Sequence, residues 1–303
     1  MHFEVTILGS NGAIPAYDRH PTSHYLNYNG DGYLLDCGEG TQIQMSKYNI
    51  KRGRLDHVFI THLHGDHFFG MMGLLTSFNL NYREHTLHIH GPEGIEQIVK
   101  THFKYAQTVL RYPLEFHVVT DDRPQLVFEN SLLTVESIIL RHRIPTTGFL
   151  FREKDGIRKI LPEKIALHDI PVAEIGKIKK GADYTKADGT VIANGELTTD
   201  PSPARSYAFC TDTVYTESFI DQIMGVSTLY HEATFLNLHK ERAAETMHST
   251  TYEAATIASK ANVGKLIVGH YSARYEDLTV VLAECREVFP NTELAVEGKS
   301  YTI

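Results

Sequence analysis

Four side chains of metal-ligand type fall within six residues of this chain: His62, His64, Asp66 and His67, in the run Thr61-His62-Leu63-His64-Gly65-Asp66-His67. Imidazole and carboxylate together suit Zn²⁺, and also Mn²⁺ or Fe²⁺. The apolar segment from His57 to Ile60 reads as a short strand that feeds straight into the cluster. Alternation along an extended chain points His62 and His64 the same way. A tight turn at Gly65 brings Asp66 and His67 round to a second position beside the first. These residues do not complete two coordination shells, so further ligands must come from distant segments. A lone histidine is usually a core or solvated residue; this density of ligand types is not explained that way.

The elements that must hold such a cluster are legible as short strands and helices. Phe3 to Leu8 alternates apolar and polar residues and ends at Gly9. Tyr25 to Tyr28 and Tyr33 to Leu35 read as two strands joined by a turn at Asn29-Gly30-Asp31-Gly32. A short helix over Gln42 to Tyr48 and another over Gly70 to Asn79 follow. Leu87 to His90 and Ile95 to Gln107 read as strand and helix. A strand-rich run comes next: Glu115 to Val119, Gln125 to Phe128, Leu132 to Leu140 and Phe149 to Arg152. The last third alternates: strands Tyr207 to Cys210, Leu229 to His231, Leu266 to Val268 and Glu293 to Val296, with helices Thr251 to Ala261 and Asp277 to Val288. Strands precede helices in both halves. That suggests an α/β fold of two sheets face to face with helices outside, a four-layer αββα arrangement. Periodicity alone does not separate it from a single doubly wound sheet.

From 166 to 203 the hydrophobic pattern is weak and glycines and prolines recur. So long a stretch without pattern inside a domain is often functional. It reads as a flexible arm inserted into a single domain spanning 1–303. Its centre, Gly176-Lys177-Ile178-Lys179-Lys180-Gly181, reads as a mobile basic tip, or as an ordinary solvated loop.

Composition sets limits. A hydrophobic content of 42% with 22% charged residues supports a substantial core. No apolar run is long enough to span a membrane, so no membrane association is expected. The start of the sequence does not read as a secretion signal. Cys37, Cys210 and Cys285 are scattered and form no Cys-x-x-Cys pair, which argues against thiolate metal sites and for a reducing, cytoplasmic setting. The net charge of −8 is unfavourable for nucleic-acid binding unless metals and a local basic patch offset it. His88 and His90 alternate on a strand and read as structural.

The run His-x-His-x-Asp-His resembles the signature of the metallo-β-lactamase superfamily. Further segments resemble the ribonuclease Z family of tRNA 3′-processing endonucleases. They are Leu35-Asp36-Cys37-Gly38-Glu39-Gly40-Thr41-Gln42, Arg141 to Phe149, Thr211-Asp212-Thr213, His231-Glu232-Ala233-Thr234-Phe235, His248-Ser249-Thr250 and Gly269 to Tyr275. They occur in family order and span most of the chain. The resemblance implies the metallo-β-lactamase fold with a protruding arm and two Zn²⁺ per subunit, with Mn²⁺ or Fe²⁺ as substitutes. It assigns His62, His64 and His142 to one metal, Asp66, His67 and His270 to the other, and Asp212 to both. Each of His142, Asp212 and His270 also follows a strand reading, as ligands converging on a sheet edge should. Asp36 reads as a support for the histidine loop, or as a purely structural acid.

The chemistry implied is phosphodiester hydrolysis, in which paired metals clamp the scissile group for in-line displacement. Asp66 is a ligand that also orients the nucleophile or accepts its proton; sequence does not separate these roles. His248 is the candidate general acid, oriented by Glu232. Ser249 and Thr250 precede a helix and read either as phosphate-binding groups or as a plain N-cap with Glu253. Arg274 is a further candidate substrate contact. The resemblance gives Lys177, Lys179 and Lys180 the role of an exosite gripping precursor tRNA, and it implies a homodimer. Tyr17 and His20 stand where the family's Pro-x-Lys-x-Arg-Asn has lysine and asparagine, so the resemblance does not fix how tRNA ending in CCA is treated. The competing functions are a small-molecule phosphodiesterase, arylsulfatase or lactonase on the same fold, and a non-catalytic RNA-binding scaffold.

Overall fold

A computed structural model of the chain describes residues 2–303, which form two compact units. One comprises the chain up to Asn130, Thr134–Phe151 and Ser206–Ile303; the other comprises Ser131–Leu133 and Arg152–Arg205.

The first unit holds two seven-stranded sheets. In one, the strands run in the order Ser300–Thr302, Phe3–Gly9, Ser23–Tyr28, Asp31–Leu35, Leu55–Phe59, Leu87–Gly91, Leu114–Val118. Its first four are antiparallel neighbours, and from Asp31–Leu35 onward the pairing is parallel. The reversal between Ser23–Tyr28 and Asp31–Leu35 is made by Asn29 at φ 51° and Gly30 at φ 96°. Two successive left-handed residues suit a tight hairpin, and asparagine followed by glycine supplies them. The other sheet runs Thr292–Leu294, Lys265–Gly269, Thr228–Glu232, Ser206–Cys210, Thr147–Glu153, Leu133–Ile139, Leu126–Glu129. Its first four strands are parallel.

Strand alternation separates the two faces of each sheet. Phe59 points at the opposite sheet, its ring 5.2 Å from Phe149 and 5.3 Å from Phe151. His24 likewise meets Phe209 and Tyr230 across the gap. Val58 and Ile60 point the other way and pack with Met45, Leu74, Leu75 and Val99 from the helices Thr41–Lys47, Met71–Leu80 and Ile95–Tyr105. On the far side Leu229, Leu266 and Val268 pack with Ala254, Ile257, Val281 and Cys285 from Thr251–Lys260 and Thr279–Val288. The four layers expected from the order of elements are those observed. Strands entering each layer end at one edge, where the loops after Phe59, Cys210 and Gly269 carry the ligand-type residues.

The second unit differs from the sequence expectation of a mobile, weakly structured segment. It holds helices Pro162–Leu167, Val172–Lys179 and Asn194–Leu197, and two small antiparallel strand pairs, Lys159–Ile160 with Thr198–Thr199 and Tyr184–Thr185 with Val191–Ile192. Ile170, Ile178, Ile192 and Leu197 bury together as its core. Each short element contributes only one or two residues to that core, so the hydrophobic pattern along the sequence is weak. Lys177 and Lys179 lie on a helix rather than a loop tip, and Lys180 caps it. Among the described residues no helix is long and apolar enough to cross a membrane.

Candidate metal centre and active-site cleft

The chain leaves the strand Leu55–Phe59 through Ile60 and Thr61, and Asp36 pins this exit. Asp36 Oδ1 accepts the Thr61 amide at 2.8 Å, and its Oδ2 lies 2.7 Å from Nδ1 of His67. Asp36 is fully buried and adopts φ 55°, a left-handed conformation uncommon for a residue with a side chain. His270, at φ 58°, is a second such residue. Both directly follow a strand and turn a side chain into the site.

Two groups of ligand atoms result. In the first, Nε2 of His62 lies 3.1 Å from Nδ1 of His64, which lies 3.2 Å from Nε2 of His142. Asp212 Oδ2 is 3.6 Å from His62 Nε2 and 3.7 Å from His142 Nε2. In the second, Asp66 Oδ2 is 3.4 Å from His67 Nε2 and 3.6 Å from His270 Nε2. Asp212 Oδ1 faces this group, 3.3 Å from His67 Nε2 and 3.0 Å from His270 Nε2. The two oxygens of Asp212 therefore address different groups.

The far ring nitrogens are anchored. Nδ1 of His142 donates to the Met247 carbonyl at 2.8 Å, and Nδ1 of His270 meets Thr234 Oγ1 at 2.8 Å. Nδ1 of His62 meets Thr61 Oγ1 at 3.0 Å. Such contacts fix ring orientation and leave Nε2 to bind. Gly12 leaves room for this: a Cβ there would lie 2.6 Å from Cε1 of His270. The Ala13 amide donates to Asp66 Oδ2 at 2.7 Å.

These residues fit a divalent metal on two observations. Nε2 of His67 and Nε2 of His270 are buried without a hydrogen-bond partner, and a metal ion between them would satisfy both. Burial disfavours charge on His67, yet Asp212, Asp66 and Asp36 outweigh it and hold its proton affinity well above the usual. The pocket thus calls for positive charge at that point.

Beside the ligands lies Glu232, fully buried, which accepts the Thr213 amide at 2.8 Å and the Thr234 hydroxyl at 2.5 Å. Its Oε1 lies 2.9 Å from Nδ1 of His248. Burial pulls the His248 pKa down, but Glu232 and then Asp212 more than compensate and raise it to about 9. His248 opens onto a cleft of about 650 Å³ also lined by Asp66, Phe69, Arg143, Phe235, Arg242 and Arg274.

The structure brings together His62, His64, Asp66, His67, His142, Asp212, Glu232, His248 and His270, with Arg274 on the cleft wall. It turns Ser249 and Thr250 inward. Ser249 Oγ donates to the Thr213 carbonyl at 2.7 Å, and Thr250 forms the capping box with Glu253, so both hydroxyls serve the fold rather than face a ligand. Lys177, Lys179 and Lys180 belong to the second unit, where Lys177 pairs with Glu174 at 2.9 Å. Arg143 and Arg242 were not singled out by sequence. Arg143 neighbours a ligand candidate, which is a usable signal; Arg242 sits on the helix Lys240–Thr246, itself unmarked by any strong pattern.

A family model described as "Anti-Pycsar protein Apyc1" matches residues 3–109. The chain is similar along nearly its whole length to ribonuclease Z of Bacteroides thetaiotaomicron, 42% identical over 301 residues covering 99% of this chain and 95% of that protein. Ribonuclease Z of Bacteroides fragilis is 43% identical over 296 residues, covering 98% and 97%. Among solved structures, the short form of human tRNase Z superposes with a TM-score of 0.72 at 26% identity, covering 99% of both chains. A metallo-β-lactamase fold protein from Bacillus subtilis gives 0.70 at 17% identity, which shows the fold alone.

Proposed function

The chain belongs to the ribonuclease Z family, and on that footing we infer that it is the endoribonuclease that removes the 3′ trailer from precursor tRNA, leaving a 3′-hydroxyl on the tRNA. The observation that carries this reading is Asp212, with one oxygen toward each of two imidazole-rich groups. That arrangement supports two Zn²⁺ per subunit: His62, His64 and His142 would hold one, Asp66, His67 and His270 the other, and Asp212 both. When bound, the pair supplies Lewis-acid charge to the phosphodiester and lowers the pKa of water.

The chain's own groups do the remainder. Asp66, fixed by the Ala13 amide, holds a carboxylate oxygen at the floor of the cleft and orients the attacking water. Burial opposes its charge, but His67 and His270 keep the carboxyl ionised. His248 is protonated at neutral pH because Glu232 stabilises the imidazolium, so it can deliver a proton to the departing oxygen. Arg143, Arg242 and Arg274 supply positive charge along the cleft wall of a chain whose net charge is −8, which suits a polyanion. The lysines of the helix Val172–Lys179 and its cap are proposed to contact tRNA, as an exosite on an inserted arm. A homodimer in the cytoplasm completes the reading.

The test is cleavage of precursor tRNAs with and without encoded CCA, with both product ends mapped, alongside a chromogenic small phosphodiester. A discrete cut at the 3′ end of the acceptor stem is expected. Hydrolysis of the small ester with intact precursor tRNA would instead point to a small-molecule phosphodiesterase.

A further inference from the structure

Outside the cleft, the first sheet carries a second concentration of imidazoles on the face turned toward the opposite sheet. His57, His88, His90 and His117 come from three neighbouring strands, Leu55–Phe59, Leu87–Gly91 and Leu114–Val118. In register, His57 is opposite His88, His88 opposite Glu115 and His90 opposite His117. Residues opposite one another in a sheet share a face, and the intervening Val58, Ile89 and Phe116 point to the helical layer.

The rings form two stacked pairs. His57 lies over His88 at 4.7 Å and 13°, and His90 over His117 at 4.6 Å and 16°. His90 is fully packed, with Phe59 against its ring at 4.5 Å, so its place in the core is sufficient reason for it. His88 and His117 are different. Nδ1 of His88 points at Nε2 of His117 across 3.1 Å, and Glu115 Oε2 lies 3.3 Å from the same Nδ1. His88 and Glu115 are 28% and 56% exposed, so water and ions reach the cluster.

We propose that His88, Glu115 and His117 form a separate divalent-cation site of zinc type, which ties the edge strand Leu114–Val118 to its neighbour. A tetrahedral zinc with bonds near 2.0–2.1 Å sets its ligand atoms about 3.3–3.4 Å apart. The separations of 3.1 and 3.3 Å match this, and they match the spacings within the catalytic ligand set, where His62 and His64 stand at 3.1 Å and His142 and His64 at 3.2 Å. The donor set is two imidazoles and one carboxylate, a combination that zinc accepts with water in the fourth position. The stacking of His57 and His90 on the two ligand rings limits their rotation, so little ordering is left for binding to impose. The strand Leu114–Val118 is the last of its sheet, with no partner strand on its outer side among the described residues. A metal bridging it to Leu87–Gly91 would fix the register of an otherwise half-exposed edge.

The experiment counts metal. Full-length protein is saturated with Zn²⁺, desalted and measured by inductively coupled plasma mass spectrometry, beside His117→Ala and Glu115→Gln variants at exposed positions. The wild type is expected to keep one equivalent more than His117→Ala, whatever number the catalytic centre retains, and Glu115→Gln to bind that equivalent at least tenfold more weakly. Co²⁺ substitution should show a visible band in the wild type that is lost selectively in His117→Ala. Cleavage of precursor tRNA should be unchanged in both variants. Equal zinc content in wild type and His117→Ala, with both folded by circular dichroism, overturns the proposal. So does an extra equivalent that survives in both variants.

Discussion

Nδ1 of His248 lies 2.9 Å from Oε1 of Glu232, a carboxylate with no exposed surface. Glu232 spends its remaining acceptor capacity on the Thr213 amide and on the Thr234 amide and hydroxyl. It is therefore fixed in place, and among the described residues the one titratable partner it addresses directly by hydrogen bond is His248. The pair sets a protonation state, and the proposed proton transfer depends on it.

With its pKa raised to about 9, His248 is protonated below that value and loses its proton as pH rises through it. A general acid works only while protonated, so kcat on precursor tRNA should fall on the alkaline side. Glu232→Gln removes the charge that stabilises the imidazolium and should move that limb toward the ordinary value of 6.5. His248→Ala should lower kcat by about 10²–10⁴-fold and abolish the limb. Metal content measured in parallel should stay near wild type in His248→Ala. A limb that does not move in Glu232→Gln would remove Glu232 from the proton step.

Asp212 and Asp36 should behave differently although both are buried carboxylates beside His67. Asp212→Ala deletes an oxygen from each ligand group and should empty both metal positions and bring activity to background. Asp36→Asn keeps the shape but weakens the hold on His67 Nδ1 and Thr61. Loss of such an outer partner typically costs about 10–100-fold in metal affinity. Activity of Asp36→Asn should therefore return at high Zn²⁺, while Asp212→Ala should not respond. Zinc titrations of both, read by metal content and by cleavage rate, make the comparison.

Gly12 offers a steric test of the second ligand group. A methyl group at this position would meet three atoms of the His270 ring at 2.6 to 2.9 Å, inside contact distance. Gly12→Ala should push His270 off Asp66 and Asp212, reducing cleavage and metal content while the thermal transition stays cooperative. Activity equal to wild type would mean that the loop yields and that the close approach is not needed.

The sequence made the centre of this molecule readable and its margins less so. His62, His64, Asp66 and His67 announce themselves because the ligands are adjacent in the chain. The strands survive inspection because Val58, Ile89 and Leu266 alternate with residues of the opposite face. Ser249 and Thr250 were ambiguous, since a hydroxyl before a helix serves a cap or an anion equally well; only burial separates the two. The second unit read as loop because its core of Ile170, Ile178, Ile192 and Leu197 gathers one residue from each of several short segments. The pairing of His88 with His117 was hidden for a similar reason. Alternation within one strand says which face a histidine takes, but the register between strands brings the rings together.

The arginines of the cleft and the lysines of the second unit should separate by salt and substrate. Arg143, Arg242 and Arg274 line the same cleft as His64, Asp66, Asp212 and His270, so a substrate bound there would lie beside them. Replacing each by alanine should slow both precursor tRNA and a small phosphodiester. Each lost phosphate contact should also flatten the salt dependence of tRNA binding by about 0.7–0.9 in log–log slope. Lys177, Lys179 and Lys180 lie on the helix Val172–Lys179 or at its end, and Lys177 is already paired with Glu174, so its share should be the smaller. Neutralising all three should raise KM for precursor tRNA and reduce the salt slope, with kcat and small-ester hydrolysis unchanged. The pattern discriminates because a contact that serves binding alone contributes equally in ground and transition states. If the lysine variant instead loses small-ester hydrolysis in proportion to tRNA cleavage, those residues support the fold of the enzyme and not the grip on its substrate.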